Sequence, residues 1–242
     1  MKRIPFILML MLAVAVATSH AADAGLTTVL ERLGIDRDAE HLRPAPLPGF
    51  LEVTRGMQVL YVSTNGGFVI KGDILSIGTE TNLTENRRAD IRRTRLQSVP
   101  DSKTLLVPAR APAVTRITVF TDVDCPYCLA LHRRHDELLR HGVEIQYLFY
   151  PRSGPASASF DQAVAVWCSK DRLAALDSAL RGARLPEADC AHPVRQHYEL
   201  ARELELKGTP AVITADGAVK YGMHSPEEIL EYAARPAARR GQ

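Results

Sequence analysis

The stretch that decides the fold is residues 121–128, Thr-Asp-Val-Asp-Cys-Pro-Tyr-Cys. The run Ile117–Phe120 before it is rich in β-branched residues and predicts a buried strand. The charged segment that begins at Leu129 favours a helix. Two cysteines therefore lie at a junction between a strand and a helix. We expect peptide N–H groups at the helix start to stabilise a thiolate at Cys125, with its sulfur open to incoming chains.

The spacing of Cys125 and Cys128 predicts thiol–disulfide chemistry, because two residues between them allow a small disulfide ring. The same spacing forms half of many zinc sites. Zinc would need a second pair of ligands, whereas Cys168 and Cys190 are far apart in the sequence and the nearby histidines form no second knuckle. We therefore expect redox chemistry, no metal and no cofactor. A purely structural bridge is the other alternative.

The N-terminus predicts a cleaved signal peptide over residues 1–21. Basic Lys2 and Arg3 precede an apolar run over residues 4–17, and Ser19-His20-Ala21 offers small residues at the cleavage positions. The alternative is a membrane anchor, which the short run and the lack of a basic stop-transfer cluster disfavour. The chain has 242 residues, 46% of them hydrophobic, which predicts a packed core in one large or two small domains.

Net charge and cysteine content limit the possible functions further. Cleavage removes Lys2 and Arg3, so 30 basic side chains fall to 28 and match the 28 acidic ones. A chain without basic excess is not expected to bind nucleic acid. Export leads to an oxidising compartment, where four cysteines allow three pairings. The natural one joins Cys125 to Cys128 and Cys168 to Cys190.

Residues 22–83 predict a small helix followed by an antiparallel sheet. We expect a helix over Leu26–Leu33, an extended connector with three prolines from Pro44, and strands over Met57–Val62, Phe68–Ile70 and Ile74–Ile77, with a hairpin turn at Asn65-Gly66-Gly67. Because a unit of this size can form only a small hydrophobic core, we expect two copies to pair their sheet edges in a dimer. The alternative is a small sheet packed on its own chain.

Residues 84–104 predict an exposed linker helix that begins with Thr84 as its cap and carries solvated arginines. From there to residue 242 the order is β-α-β, helices, then β-β-α, which is a thioredoxin-like α/β (α+β) order with a helical insertion. Pro210, at the start of the strand Ala211–Thr214, is either an ordinary turn proline or a cis proline in a substrate-binding loop.

The chain resembles the DsbC family of periplasmic disulfide isomerases over nearly its whole mature length. The stretches that carry the resemblance are Phe120-Thr121-Asp122 and Leu131-His132 around the cysteine pair, Tyr147–Arg152, Ala165–Cys168 with Cys190, Gly208–Val212, and the connector at Pro44. The resemblance implies a V-shaped homodimer. Each protomer would have an N-terminal α+β, cystatin-like dimerisation domain (residues 22–83), a linker helix (84–104) and a thioredoxin-like catalytic domain (105–242).

The resemblance also implies a function and its residues. The protein would be a periplasmic thiol:disulfide interchange protein that reduces and isomerises incorrect disulfides in exported proteins. Chaperone activity in the shared cleft and a DsbD-type membrane reductase as electron donor would accompany it. The implied roles are catalytic for Cys125 and Cys128, substrate-binding for Thr209, Pro210 and Tyr127, and a structural disulfide for Cys168 with Cys190.

Two other functions stay open on the residues alone. Pro126-Tyr127 between the cysteines also resembles DsbG-like reductases of sulfenylated cysteines. A pure chaperone, or holdase, is the second alternative. Among nearby residues, His132 is expected on the helix surface or in packing, with a proton-shuttle role as the alternative. Trp167 is expected in the core.

Overall fold

The computed structural model describes residues 26–34, 42–222 and 224–234. The predicted signal peptide and the predicted end of the last helix at Arg235-Pro236 lie outside these residues. Within them, no helix has both the length and the apolar character that a membrane span requires. The chain divides into two compact units, with the boundary between Ile74 and Leu75.

The first unit is a helix with an antiparallel sheet. Helix α1 covers residues 26–32, and the sheet has the order β1-β2-β3-β4. Its strands are β1 (Leu42–Pro44), β2 (Phe50–Arg55), β3 (Gln58–Ser63) and β4 (Val69–Ile70). The predicted helix and the hairpin turn before β4 are confirmed. The core of this unit consists of Leu26, Leu30, Val53, Leu60 and Val62.

The proline connector is more ordered than expected. Pro44 belongs to β1, which pairs with β2 through Leu42 opposite Val53. A proline is tolerated there because β1 is an edge strand and needs no second hydrogen-bonded neighbour. Arg43 on this strand pairs with the buried Glu52 at 2.8 Å.

The third predicted strand does not join this sheet. It forms β5 (Leu75–Ser76), which pairs with β6 (Thr81–Asn82) in a separate two-stranded sheet in the second unit. Local polar contacts explain the difference, because the Thr79 hydroxyl lies 2.7 Å from that of Ser76 and 2.8 Å from that of Thr81.

The predicted linker helix exists as α2 (Leu83–Gln97), but two details were wrong. Its cap is Asn82, whose side chain accepts the Glu85 N–H at 2.8 Å, rather than Thr84. Its arginines are not all solvated, because Arg92 is 4% exposed and donates from Nε to the Gly217 carbonyl at 2.6 Å. The helix is thus packed against the turn between the last two strands of the second unit.

The second unit is built on a five-stranded sheet with the order β11-β10-β8-β9-β7. Strands β8 and β9 are parallel and the other neighbours are antiparallel, which confirms the thioredoxin-like order. The strands are β7 (Leu105–Val107), β8 (Thr115–Thr121), β9 (Val143–Phe149), β10 (Ala211–Thr214) and β11 (Val219–Tyr221). The edge strand β7 was not predicted.

Six helices complete the unit: α3 (Pro126–His132), α4 (His135–Arg140), α5 (Ala158–Cys168), α6 (Arg172–Leu180), α7 (Val194–Glu203) and α8 (Pro226–Ala234). The predicted insertion, α5 to α7, is helical. Helix α5 ends at Cys168, and Asp171 caps the new helix α6. The hydrophobic core takes side chains from the sheet and these helices, including Trp167, as predicted. This core holds β8 and α3, and therefore the cysteine pair, in a fixed position.

Candidate active site

The cysteine pair lies at the junction between β8 and α3. Cys125 is the capping residue of α3 and Pro126 is its first residue, where the missing N–H of proline costs no hydrogen bond. The Cys125 carbonyl accepts the N–H groups of Cys128 and Leu129 at 3.0 and 3.1 Å. Both cysteines are reduced in this structure.

The Cys125 thiol is unusually acidic. Its pKa falls to about 5, primarily because the Cys128 thiol donates a hydrogen bond to the thiolate. Burial opposes the shift, while Thr209, the Cys128 backbone N–H and the charge of Arg152 add to it. The predicted contribution from the helix start is therefore present, but the neighbouring thiol contributes more. A sulfur with this pKa is a thiolate at neutral pH.

The Cys128 thiol behaves in the opposite way. Burial raises its pKa, and its hydrogen bond to Cys125 and the charge on that sulfur raise the pKa further. Cys128 therefore holds its proton at neutral pH. The two sulfurs differ in role because one is the hydrogen-bond donor and the other is the acceptor.

The Cys125 sulfur is more covered than we expected. The residue is 2% exposed, and its sulfur lies 3.3 Å from the Thr209 carbonyl oxygen. The loop that precedes β10 covers the sulfur because Ala211, the first residue of β10, pairs with Phe120 near the end of β8. A substrate must therefore displace the Thr209 contact to reach Cys125.

The predicted substrate-binding residues lie around this sulfur to different degrees. The Thr209–Pro210 peptide bond is cis. The Thr209 hydroxyl is buried without a hydrogen-bond partner among the described residues. Tyr127 is 59% exposed, so its ring is free to contact a bound chain.

Sequence reasoning gave no role to Asp122 and Arg152. Asp122 is buried, and its carboxylate accepts the backbone N–H of Arg152 at 3.0 Å and its side-chain Nε–H at 2.9 Å. Their positions in the sequence could have identified this pair, because Asp122 follows the predicted strand β8 and Arg152 closely follows the parallel strand β9. Residues after neighbouring parallel strands meet at one edge of a sheet.

His132 is buried, which confirms the expectation of a packing residue and excludes a position on the helix surface. Its Nδ1 lies 3.3 Å from the Tyr147 hydroxyl, and its ring lies 4.5 Å from that of His135. Burial lowers the pKa of His132 to about 4, so the ring is neutral near pH 7.

The remaining two cysteines form a disulfide between the end of α5 and the loop before α7. Cys190 is exposed and Cys168 is half-buried. No group of three or more possible metal ligands occurs among the described residues. The predicted absence of a metal and of a cofactor stays a prediction.

A thioredoxin-like sheet with an acidic cysteine at a helix start and a protonated cysteine one turn later defines a thiol–disulfide oxidoreductase. Residues 105–235 match the family described as thioredoxin-like domain. Residues 17–85 match the disulfide bond isomerase protein N-terminal domain. The chain belongs to the DsbC family of thiol:disulfide interchange proteins.

Similar proteins agree with this assignment. The chain is 31% identical to the thiol:disulfide interchange protein DsbC of Dickeya dadantii over 95% of this chain and 93% of the relative. It is 30% identical to the protein of that name from Escherichia coli K12 over 94% of each chain. These names favour a DsbC-like over a DsbG-like interpretation.

A solved structure supports the fold alone. The crystal structure of a disulfide interchange protein from Neisseria gonorrhoeae superposes with a TM-score of 0.50 at 23% identity. It covers 57% of this chain and all of that chain.

Proposed function

We propose that the protein isomerises and reduces incorrect disulfides in exported proteins, with Cys125 as the attacking and Cys128 as the resolving cysteine. The observation that carries the proposal is the opposite acidity of the pair. The pKa of Cys125 is lowered to about 5, chiefly by the Cys128 hydrogen bond, whereas burial raises the pKa of Cys128. At neutral pH one sulfur is a nucleophile and the other keeps its proton.

The reaction follows from this difference. The Cys125 thiolate attacks one sulfur of a wrong disulfide, forms a mixed disulfide with it, and releases the other substrate sulfur as a thiolate. In isomerisation a substrate thiolate attacks the mixed disulfide and expels the Cys125 thiolate, with no net transfer of electrons. In reduction Cys128 passes its proton to the thiolate already released from the substrate and attacks Cys125. The substrate then leaves with two added electrons, and Cys125 and Cys128 are joined.

Substrate contact is assigned to Thr209, Pro210 and Tyr127. The loop at Thr209 lies directly over the nucleophile, and an extended chain that replaces its contact with Cys125 can pair with the backbone beside it. Tyr127 between the two cysteines adds an exposed aromatic ring. The disulfide of Cys168 is assigned a structural role.

The proposed location is the periplasm, with residues 1–21 as a cleaved signal peptide. The residue pattern of the N-terminus supports this assignment. Isomerisation consumes no electrons, but each reduction leaves the cysteine pair oxidised. The proposed partner that restores the thiols is a DsbD-type membrane reductase, and the proposed clients are misfolded exported proteins with disulfides.

The proposed assembly is a homodimer through residues 22–83, followed by a linker helix (84–104) and a catalytic domain (105–242). The match to an isomerase N-terminal domain supports it. So does strand β4, which is an edge strand with exposed apolar side chains at Val69 and Ile70. Such an edge favours pairing with another chain. Chaperone activity is proposed to accompany isomerisation.

Refolding of scrambled ribonuclease tests the proposal. We expect Cys125→Ser to abolish the recovery of ribonuclease activity and Cys128→Ser to accumulate covalent complexes with the substrate. The double variant Cys168→Ala, Cys190→Ala is the control, since it keeps Cys125 and Cys128 and leaves no other unpaired cysteine among the described residues. Normal recovery with Cys125→Ser would refute the assignment of the nucleophile.

Thiol trapping in cells separates the remaining alternatives. An isomerase or reductase holds Cys125 and Cys128 reduced at rest, so an oxidised pair in cells would contradict the proposal. A holdase keeps its ability to suppress aggregation when both cysteines are replaced by serine. Full refolding activity in that double variant would show that binding alone suffices.

A further inference from the structure

Arg152 is anchored twice to one buried carboxylate oxygen. Asp122 Oδ2 accepts the backbone N–H of Arg152 at 3.0 Å and its Nε–H at 2.9 Å. Asp122 itself is 3% exposed. The main chain and the side chain of Arg152 are therefore both held in place, and the guanidinium group loses little freedom if it binds something else.

The same aspartate organises the loop of the nucleophile. Its Oδ1 accepts the Asp124 N–H at 3.2 Å, and its backbone carbonyl accepts the Cys125 N–H at 3.1 Å. Arg152 is thus fixed relative to Cys125 through a single intervening residue.

The outer edge of the Arg152 guanidinium is open. The side chain is 44% exposed, and in the part of the chain that the structure describes only Nε has a side-chain partner. An arginine that merely neutralises a carboxylate commonly makes two parallel bonds to it. Here Nε and the backbone N–H share one oxygen, which leaves the two outer nitrogens available to a ligand.

Arg152 also lies within electrostatic reach of the reacting sulfurs. The hydrogen bond to Asp122 is the main cause of its raised pKa, and the charges of Cys125 and Cys128 contribute. A substrate disulfide attacked by Cys125 must lie close to the same charge.

We propose that the free edge of Arg152 binds a carboxylate of the substrate, so that the enzyme favours disulfides with a glutamate or aspartate beside the attacked cysteine. This inference rests on the proposed role of Cys125 as the nucleophile. Two fixed, outward nitrogens match the two oxygens of a carboxylate. Asp124, which is exposed and precedes Cys125, acts in the opposite direction and provides a matched control.

The experiment compares two short peptides with one disulfide each, identical except for glutamate or glutamine beside the attacked cysteine. The measured quantity is the ratio of their second-order rate constants for reduction by the reduced protein in a single turnover. Any change in the pKa of Cys125 affects both peptides equally and cancels in this ratio. For the wild type we expect a preference for the glutamate peptide of about 1.5- to 5-fold, the range of an exposed ion pair.

Variants assign the preference to Arg152. We expect Arg152→Gln to bring the ratio to one or below, Arg152→Lys to restore part of it, and Asp124→Asn to increase it. If Arg152→Gln does not fold, the salt dependence of the wild-type ratio decides, since an ion pair weakens with salt. A wild-type ratio of one, or a ratio unchanged by salt and by Arg152→Gln, overturns the subsite. Failure to reduce either peptide overturns the proposed function instead.

Discussion

Replacement of Cys128 separates its effect on the acidity of Cys125 from its role in resolution. The hydrogen bond from Cys128 is the largest cause of the low pKa of Cys125. Cys128→Ala removes the donor, whereas Cys128→Ser keeps a donor of similar size. We therefore expect the pKa of Cys125 to rise toward its ordinary value of 9.0 in Cys128→Ala and to stay well below it in Cys128→Ser.

The size of the effect on rate depends on pH. At pH 5 about half of a thiol with a pKa of about 5 is thiolate, against about one part in ten thousand for a pKa of 9.0. The more acidic thiolate is intrinsically weaker, by a factor of about 40–100 over four pKa units at a Brønsted slope of about 0.4–0.5. Cys125 should then react about 50- to 125-fold faster than an ordinary thiol at pH 5, yet only about 1- to 3-fold faster at pH 7.

The assay is the rate of reaction with a small neutral disulfide from pH 4 to pH 10, together with thiolate absorbance. We expect a titration midpoint near pH 5 for the wild type, at a higher pH for Cys128→Ala, and between the two for Cys128→Ser. Similar rates for the wild type and Cys128→Ala at pH 7 would not contradict this account, because the larger thiolate fraction and the weaker nucleophilicity of the wild-type sulfur nearly cancel at that pH. A wild-type midpoint near 9, or one that is the same in all three proteins, would refute the reasoning.

Three further predictions concern stability. Burial lowers the pKa values of His132 and His197 to about 4, so the unfolded chain binds protons at these histidines at a higher pH than the folded chain does. The free energy of unfolding should therefore be at its full value above about pH 6.5 and fall by up to about 3 kcal/mol per histidine as the pH drops to 4. His197→Gln should make the stability measured by urea unfolding depend less on pH. Gly217→Ala should cost several kcal/mol in urea unfolding because its Cβ would overlap the Ala89 carbonyl oxygen of α2. Gly222→Ala is the control, since it has a similar positive φ and its Cβ would meet no atom of the described residues within 4 Å, so it should cost about 1 kcal/mol. Equal losses would contradict this account. Cys190→Ala opens the second disulfide and should cost about 3 kcal/mol without changing the acidity of Cys125, and an unchanged urea midpoint would count against a structural role.

Elements with strong local signals were predictable from the sequence. The β-branched run before Thr121 and the alternating run before Tyr150 became the two parallel strands. The partners of short elements were not predictable: β7 was missed, and the strand predicted at Ile74–Ile77 forms β5 but pairs with β6, because strands of two or three residues depend on their neighbours. Pro44 was expected in an extended connector, and the edge position of β1 explains how a proline can also belong to a sheet.

The chemistry of the site was partly visible in the sequence. The spacing of the cysteines predicted a nucleophile at Cys125, but not that Cys128 would be the main cause of its acidity. That depends on which sulfur donates to the other, which is set by burial in three dimensions. The pairing of Asp122 with Arg152 spans 30 positions and arises only when β8 and β9 lie side by side.

The contact between α2 and the turn at Gly217 has a practical consequence for dissecting the protein. Gly217 approaches the Ala89 carbonyl so closely that only a hydrogen fits, and Arg92 donates to the Gly217 carbonyl from a buried position. A fragment that starts at residue 105 would lack α2, so the turn at Gly217 would be exposed and the Gly217 carbonyl would lose its hydrogen bond from Arg92. Laboratory truncations meant to report on the thiol chemistry should therefore retain the whole of Leu83–Gln97.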